Sequence, residues 1–184
     1  KPPFKVLDFK KALEKEIKVD LEKTSTSQLI QLGQQAGLTM DKNWGRGKVL
    51  DELYKKFVRK NIIQPTFIIH HPIELSPLAK RLPNKAQYVE RYQVVVKGVE
   101  LCNAFSELSD PVDQENRFKE QTLLKNQGDS EAFEADADFV EALKYGLPPT
   151  AGLGLGIDRL IMVLGNVDNI KEVIMFPTMR PKKD

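Results

Sequence analysis

The residues best suited to chemistry lie in Ala151-Gly-Leu-Gly-Leu-Gly-Ile-Asp-Arg159. Gly152, Gly154 and Gly156 recur at every second position, with Leu153 and Leu155 between them. Side chains alternate across a strand, so this strand is bare on one face and apolar on the other. A bare face lets a flat ring lie against the backbone. The run from Ile157 to Leu164 reads as a buried helix with Arg159 in its first turn. A cation beside a helix N-terminus is unfavourable unless an anion is close by. A flat ring joined to an anion describes a nucleotide polyphosphate. The motif is neither the dinucleotide fingerprint, which needs a different spacing, nor a P-loop, since no Gly-Lys-Ser/Thr follows.

A second constellation is Glu100-Leu-Cys-Asn-Ala-Phe-Ser-Glu107. Strict alternation puts Leu101, Asn103, Phe105 and Glu107 on one face of a strand. A ring can wall an aliphatic stem, an amide can orient a polar head, and a carboxylate can pair with a cation. Glu100 falls on the opposite phase, so it joins this face only if a bulge or bend lies near Cys102. An edge strand with one wet face fits the same pattern.

Helices and strands must position these groups. Asp8 can cap a helix through Ile17, and Thr24 to Ser27 offer caps for a second helix ending near Gly37. Lys48 to Asn61 repeats apolar residues at helical spacing. Pro65–Ile69, Gln87–Val96 and Glu100–Leu108 read as strands. Asp110-Pro111 starts a helix that stops at Gly128, and a short acidic helix covers Asp136 to Tyr145. The order predicts an α+β fold, an antiparallel β-sheet flanked by helices, after a mostly helical segment over residues 1–61. The sheet-containing portion covers residues 62–184.

The 184 residues suffice for one domain with a core, and a net charge of +2 is too small to argue for nucleic acid. The single cysteine, Cys102, fits a reducing compartment and excludes an internal disulfide. No apolar run approaches membrane-spanning length. The start at Lys1-Pro-Pro points to a piece of a longer protein. His70 and His71 face opposite ways on an extended segment, which argues against one shared metal. Trp44 and Arg46 read as a surface turn, Cys102 as packed rather than reactive, and Arg180-Pro-Lys-Lys as a solvated tail.

Together, VELCNAFSELSDPVDQENRF and YGLPPTAGLGLGIDRLIM resemble the class II lysyl-tRNA synthetases. The resemblance runs from about Pro3 to the end and is densest from Pro65 onward. The second segment is similar to motif three of class II synthetases, and the first to the substrate strand of the lysine enzymes. The resemblance implies a partial class II catalytic core over residues 1–184. It implies activation of lysine by ATP to lysyl-adenylate, then transfer to tRNA(Lys), in a cytoplasmic, homodimeric parent enzyme with no membrane attachment. Arg159 matches the catalytic arginine on the γ-phosphate. Gly154 and Gly156 match the glycines beside adenine. Glu107 matches the carboxylate for the lysine ε-ammonium, with Asn103, Phe105 and Gly152 around the amino acid. Glu100 matches a ligand of Mg2+ on the ATP phosphates. The chain departs from the family at Gln93, where a second acidic metal ligand is expected. Segments matching motif one, motif two and the anticodon-binding domain are not found, so the chain alone is expected not to form adenylate. Two other readings share these residues. One is the paralogue that lysylates elongation factor P, against which Ser106 and Pro148-Pro149-Thr150-Ala151-Gly152 argue. The other is a non-catalytic binding module.

Overall fold

A computed structural model describes residues 2–126, 128–129, 132 and 134–178. The tail residues Arg180 to Lys183 lie outside them. Strand β1 (Lys5–Asp8) runs into helix α1 (Phe9–Ile17), whose N-cap Asp8 accepts a hydrogen bond from the Lys11 amide at 3.0 Å. Helix α2 (Thr26–Gln35) opens on a capping box between Ser25 and Gln28. Helix α3 (Arg46–Phe57) follows, and a 3-10 turn at Arg59–Asn61 ends the long helix expected there.

Next come β2 (Thr66–Ile69), a 3-10 turn at Ile73–Leu75, β3 (Arg81–Leu82), β4 (Lys85–Val89), β5 (Arg91–Val96) and β6 (Val99–Ser106). Helices α4 (Pro111–Asn126) and α5 (Ala137–Lys144) precede β7 (Ala151–Leu155) and α6 (Ile157–Gly165). The main sheet has the order β1-β2-β5-β6-β7, and β3 and β4 form a separate hairpin. The α+β expectation holds, and all pairs in the main sheet are antiparallel except β1 with β2.

Three expectations change. The single strand from Gln87 to Val96 is two strands in different sheets. Glu90 separates them, because its amide donates to the Lys80 carbonyl and its carbonyl accepts from the Ser106 amide. The segment before α1 is a strand that the helical reading missed, and it pairs with β2. Helix α6 is not buried. Met162 is covered, but Ile157, Ile161 and Leu164 are exposed, because among the described residues only β6 and the 3-10 turn at Ile170–Glu172 pack extensively against the helix.

The main core joins α1, α2 and α3 to one face of the sheet. Phe9, Leu13, Leu29, Leu53 and Tyr54 pack with Ile68 of β2 and Val95 of β5. This face is called the inner face below.

Candidate active site

Cross-strand partners share a face, so the register fixes which residues meet. Gln93 pairs with Asn103, which pairs with Gly154; Arg91 pairs with Phe105, which pairs with Gly152. Gln93 and Arg91 are in phase with Val95, so all six lie on the inner face. Val94 pairs with Cys102 but Val95 pairs with Glu100, so Leu101 is an extra residue in β6. This bulge resets the phase and brings Glu100 onto the inner face. Leu101 leaves the alternation that had placed it with Asn103. Its carbonyl instead accepts the Gly156 amide at 2.9 Å.

Side-chain bonds bear out the phase. Gln93 Nε2 donates to Glu100 Oε2 at 2.9 Å, and Arg91 Nε donates to Asn103 Oδ1 at 2.8 Å. Gln93 is buried, and among the described residues its Oε1 has no hydrogen-bond partner. Arg91 also donates through Nη1 to the Leu75 carbonyl at 2.7 Å and the Ser76 hydroxyl at 2.9 Å.

The glycines of β7 matter for what they lack. A Cβ on Gly152 would lie 2.5 Å from Glu107 Oε1, so the carboxylate occupies the space a side chain would fill. A Cβ on Gly154 would meet only the Asn103 carbonyl, at 3.8 Å. The bare strand face therefore exists, with Glu107 at one end and open surface beside Asn103. Burial raises the Glu107 carboxyl above the ordinary glutamate range. Arg159, in the first turn of α6, is exposed, and its Nη1 donates to the Glu100 carbonyl at 3.0 Å.

The loop from Ser76 to Lys80 supports both ends of this arrangement. Its Ser76 hydroxyl accepts from Arg91, and Ala79 bridges to Glu107. Arg117 of α4 holds the loop, donating to the carbonyls of Ser76 at 3.2 Å and Ala79 at 2.6 Å. Asp113 receives both Arg81 and Arg117, and Arg81 above all holds its carboxyl well below the usual range.

Other sequence candidates lie elsewhere. His70 Nδ1 is 2.9 Å from Asp8 Oδ2, while His71 is buried against Phe9, and among the described residues neither of its ring nitrogens has a hydrogen-bond partner. Cys102 is packed, and burial pushes its thiol up. Arg46 is the first residue of α3 and not part of a surface turn, and it donates to the Thr24 carbonyl at 3.0 Å, which ties the start of that helix to the chain before α2. A cavity of about 480 Å3 is lined both by Arg91, Phe105 and Gly152 of the inner face and by Tyr92, Ala104 and Leu153. The register sets Tyr92, Ala104 and Leu153 on the outer face of the sheet, opposite Asn103.

Arg91 was not legible as a site residue. The available signal for Arg91 was a charged residue in the core-facing phase of a β-branched strand.

A family model described as tRNA synthetases class II (D, K and N) matches residues 1–180. The chain belongs to that family. The synthetase chain is 42% identical over 183 residues to a lysine–tRNA ligase of Porphyromonas gingivalis, covering 100% of itself and 32% of the relative. It is 43% identical to one from Chloroflexus aurantiacus, covering 100% of itself and 38% of the relative. One from Roseiflexus castenholzii is 49% identical over 163 residues, with 89% of this chain and 33% of the relative covered. The synthetase chain thus spans about a third of the length of the curated relatives it matches. Among the described residues, no helix is long and apolar enough to cross a membrane.

Proposed function

We propose that this chain supplies the lysine-facing and ATP-facing part of a lysine–tRNA ligase, which activates lysine with ATP and transfers it to tRNA(Lys). The observation that carries the reading is the Glu107 carboxylate lying over Gly152, on the inner face that also presents Asn103 and Phe105. Four strand steps separate Asn103 from Glu107, roughly 13 Å at the usual rise per residue. That matches an extended amino-acid side chain with a hydrogen bond at each end. All three relatives described above are named lysine–tRNA ligases, which favours this reading over the elongation-factor paralogue and the non-catalytic module.

In this reading Glu107 receives the ε-ammonium, Phe105 walls the aliphatic stem and Asn103 orients the polar head. Gly152 leaves room for the Glu107 carboxylate. Gly154 and Gly156 let adenine approach the backbone, and Arg159 holds the terminal phosphate of ATP. The reaction needs no protein nucleophile: the lysine carboxylate attacks the α-phosphate, so these residues act by placement and charge.

Glu100 suits Mg2+, which takes one or two carboxylates together with substrate phosphates. No group of three or more acidic, histidine or cysteine side chains that could hold a metal occurs among the described residues, so the phosphates would complete the shell. Bound there, Mg2+ would neutralise phosphate charge. Gln93 turns its amide nitrogen, not its oxygen, toward Glu100 and holds that carboxylate in place. The parent enzyme in this reading is a cytoplasmic homodimer.

The test is Glu107→Gln in the enzyme that contains this chain. The KM for lysine should rise about 10- to 100-fold, the range for losing a charged hydrogen bond, while the KM for ATP stays near its starting value. An unchanged lysine KM would refute the assignment.

A further inference from the structure

Arg91 is a half-buried cation with an unusual set of partners. Its three side-chain bonds go to neutral oxygens: Asn103 Oδ1, the Leu75 carbonyl and the Ser76 hydroxyl. Among the described residues no carboxylate oxygen lies within salt-bridge distance of it. Burial lowers its proton affinity, as expected for a charge removed from water without a direct ion-pair partner. The nearby charges of Glu100 and Asp51 offset this only in part, so the guanidinium is kept at some cost.

The chemistry of the pair shows what the arrangement achieves. A guanidinium has five donors and no acceptor. Only the oxygen of the Asn103 amide can face it, because the reverse orientation sets N–H against N–H. Asn103 Nδ2 must then point away from Arg91. Among the described residues no hydrogen bond uses that nitrogen, and the surface over the neighbouring Gly154 is open. Leu75 and Ser76 hold the guanidinium from behind, and Arg117 holds Ser76 in turn, so the orientation is fixed before any ligand arrives.

We propose that Arg91 is a positioning residue, which locks Asn103 as a hydrogen-bond donor into the site and so sets it to receive the carboxylate of the amino acid. The inference rests on the reading of Asn103 as part of the lysine site. Arg91 touches no substrate. It acts through the amide and adds a positive field behind it.

The experiment is a double-mutant cycle in the enzyme that contains this chain, using Arg91→Lys, Asn103→Ala and the double variant. Two constants are read: the KM for lysine, and the inhibition constant of 1,5-diaminopentane, which is lysine without its carboxylate. Arg91→Lys keeps the charge but loses the planar fork. Each single variant should raise the lysine KM about tenfold, and the double variant no further than Asn103→Ala alone. Diaminopentane should inhibit all forms within about twofold of the parent, which also shows that the fold survives. Arg91→Gln, which can still offer an amide donor to Oδ1, should recover part of the loss. If the two losses multiply, or diaminopentane weakens as much as lysine, Arg91 is merely structural and the proposal fails. If Asn103→Ala leaves the lysine KM unchanged, the assignment of Asn103 to the substrate fails first, and the role of Arg91 falls with it.

Discussion

Glu107 and Gly152 form a matched pair, because the carboxylate occupies the volume a Cβ would take. Gly152→Ala should therefore displace Glu107 and raise the KM for lysine by tenfold or more, with little change in the melting temperature. Steady-state aminoacylation and thermal denaturation of the same variant check this. Arg159 belongs to the other substrate. It is exposed, and among the described residues its side chain bonds only a backbone carbonyl, so Arg159→Ala should cost the fold little. It should raise the KM for ATP or lower kcat at least tenfold while lysine binding stays nearly intact. A selective loss of lysine affinity would count against a phosphate role.

Among the elements, the decisive piece is the paired unit of β5 and β6. The bulge at Leu101 puts Glu100 in phase with Asn103 and Phe105, and β5 sends Arg91 and Gln93 across to hold them. Helix α4 contributes at one remove, through Arg117 and the loop it fastens. Asp113 neutralises Arg117, which is almost fully buried. Asp113→Ala would strand that charge and should destabilise the protein by about 3 kcal/mol, measured by urea unfolding. Asp113→Asn keeps hydrogen-bond capacity and should cost less.

At the scale of the whole molecule, His71 links the core to pH. Burial foremost, helped by the charge of Arg91, pushes its imidazole down to about 3 from an ordinary value near 6.5. The folded form therefore keeps it neutral while the unfolded chain takes up the proton. Its contribution is fully present above the unfolded value and is lost as pH falls from about 6.5 toward 3, at up to about 1.4 kcal/mol per pH unit. His71→Phe, packed against Phe9, should flatten the fall in unfolding free energy between pH 7 and 5. The outer face of the sheet sets a second whole-molecule property. Val6, Leu153 and Leu155 are exposed on it, with Leu153 at 64%, and so are Ile157, Ile161 and Leu164 of α6. Exposed apolar side chains in this number should make the 184-residue chain bind the dye ANS, and Leu153→Thr with Leu155→Thr should reduce that fluorescence.

The sequence by itself determined the local elements and the chemical inventory. Caps at Asp8, Ser25 and Asp136, the Asp110-Pro111 start and the alternating glycines act over a few residues, so their meaning is carried in the chain. It also carried the condition that Glu100 needs a bulge, though not whether one forms, because a bulge is a property of two paired strands. Tertiary structure decided the rest. β1 is too short to read alone and exists through its pairing with β2. The break at Glu90 depends on Lys80 and Ser106, which reach it from elsewhere in the chain. The apolar run of α6 reads as buried in any sequence, yet burial depends on what lies opposite it. Arg91 became a site residue only when β6 was laid beside β5, because a donor-only side chain has a role only once its acceptor is in place.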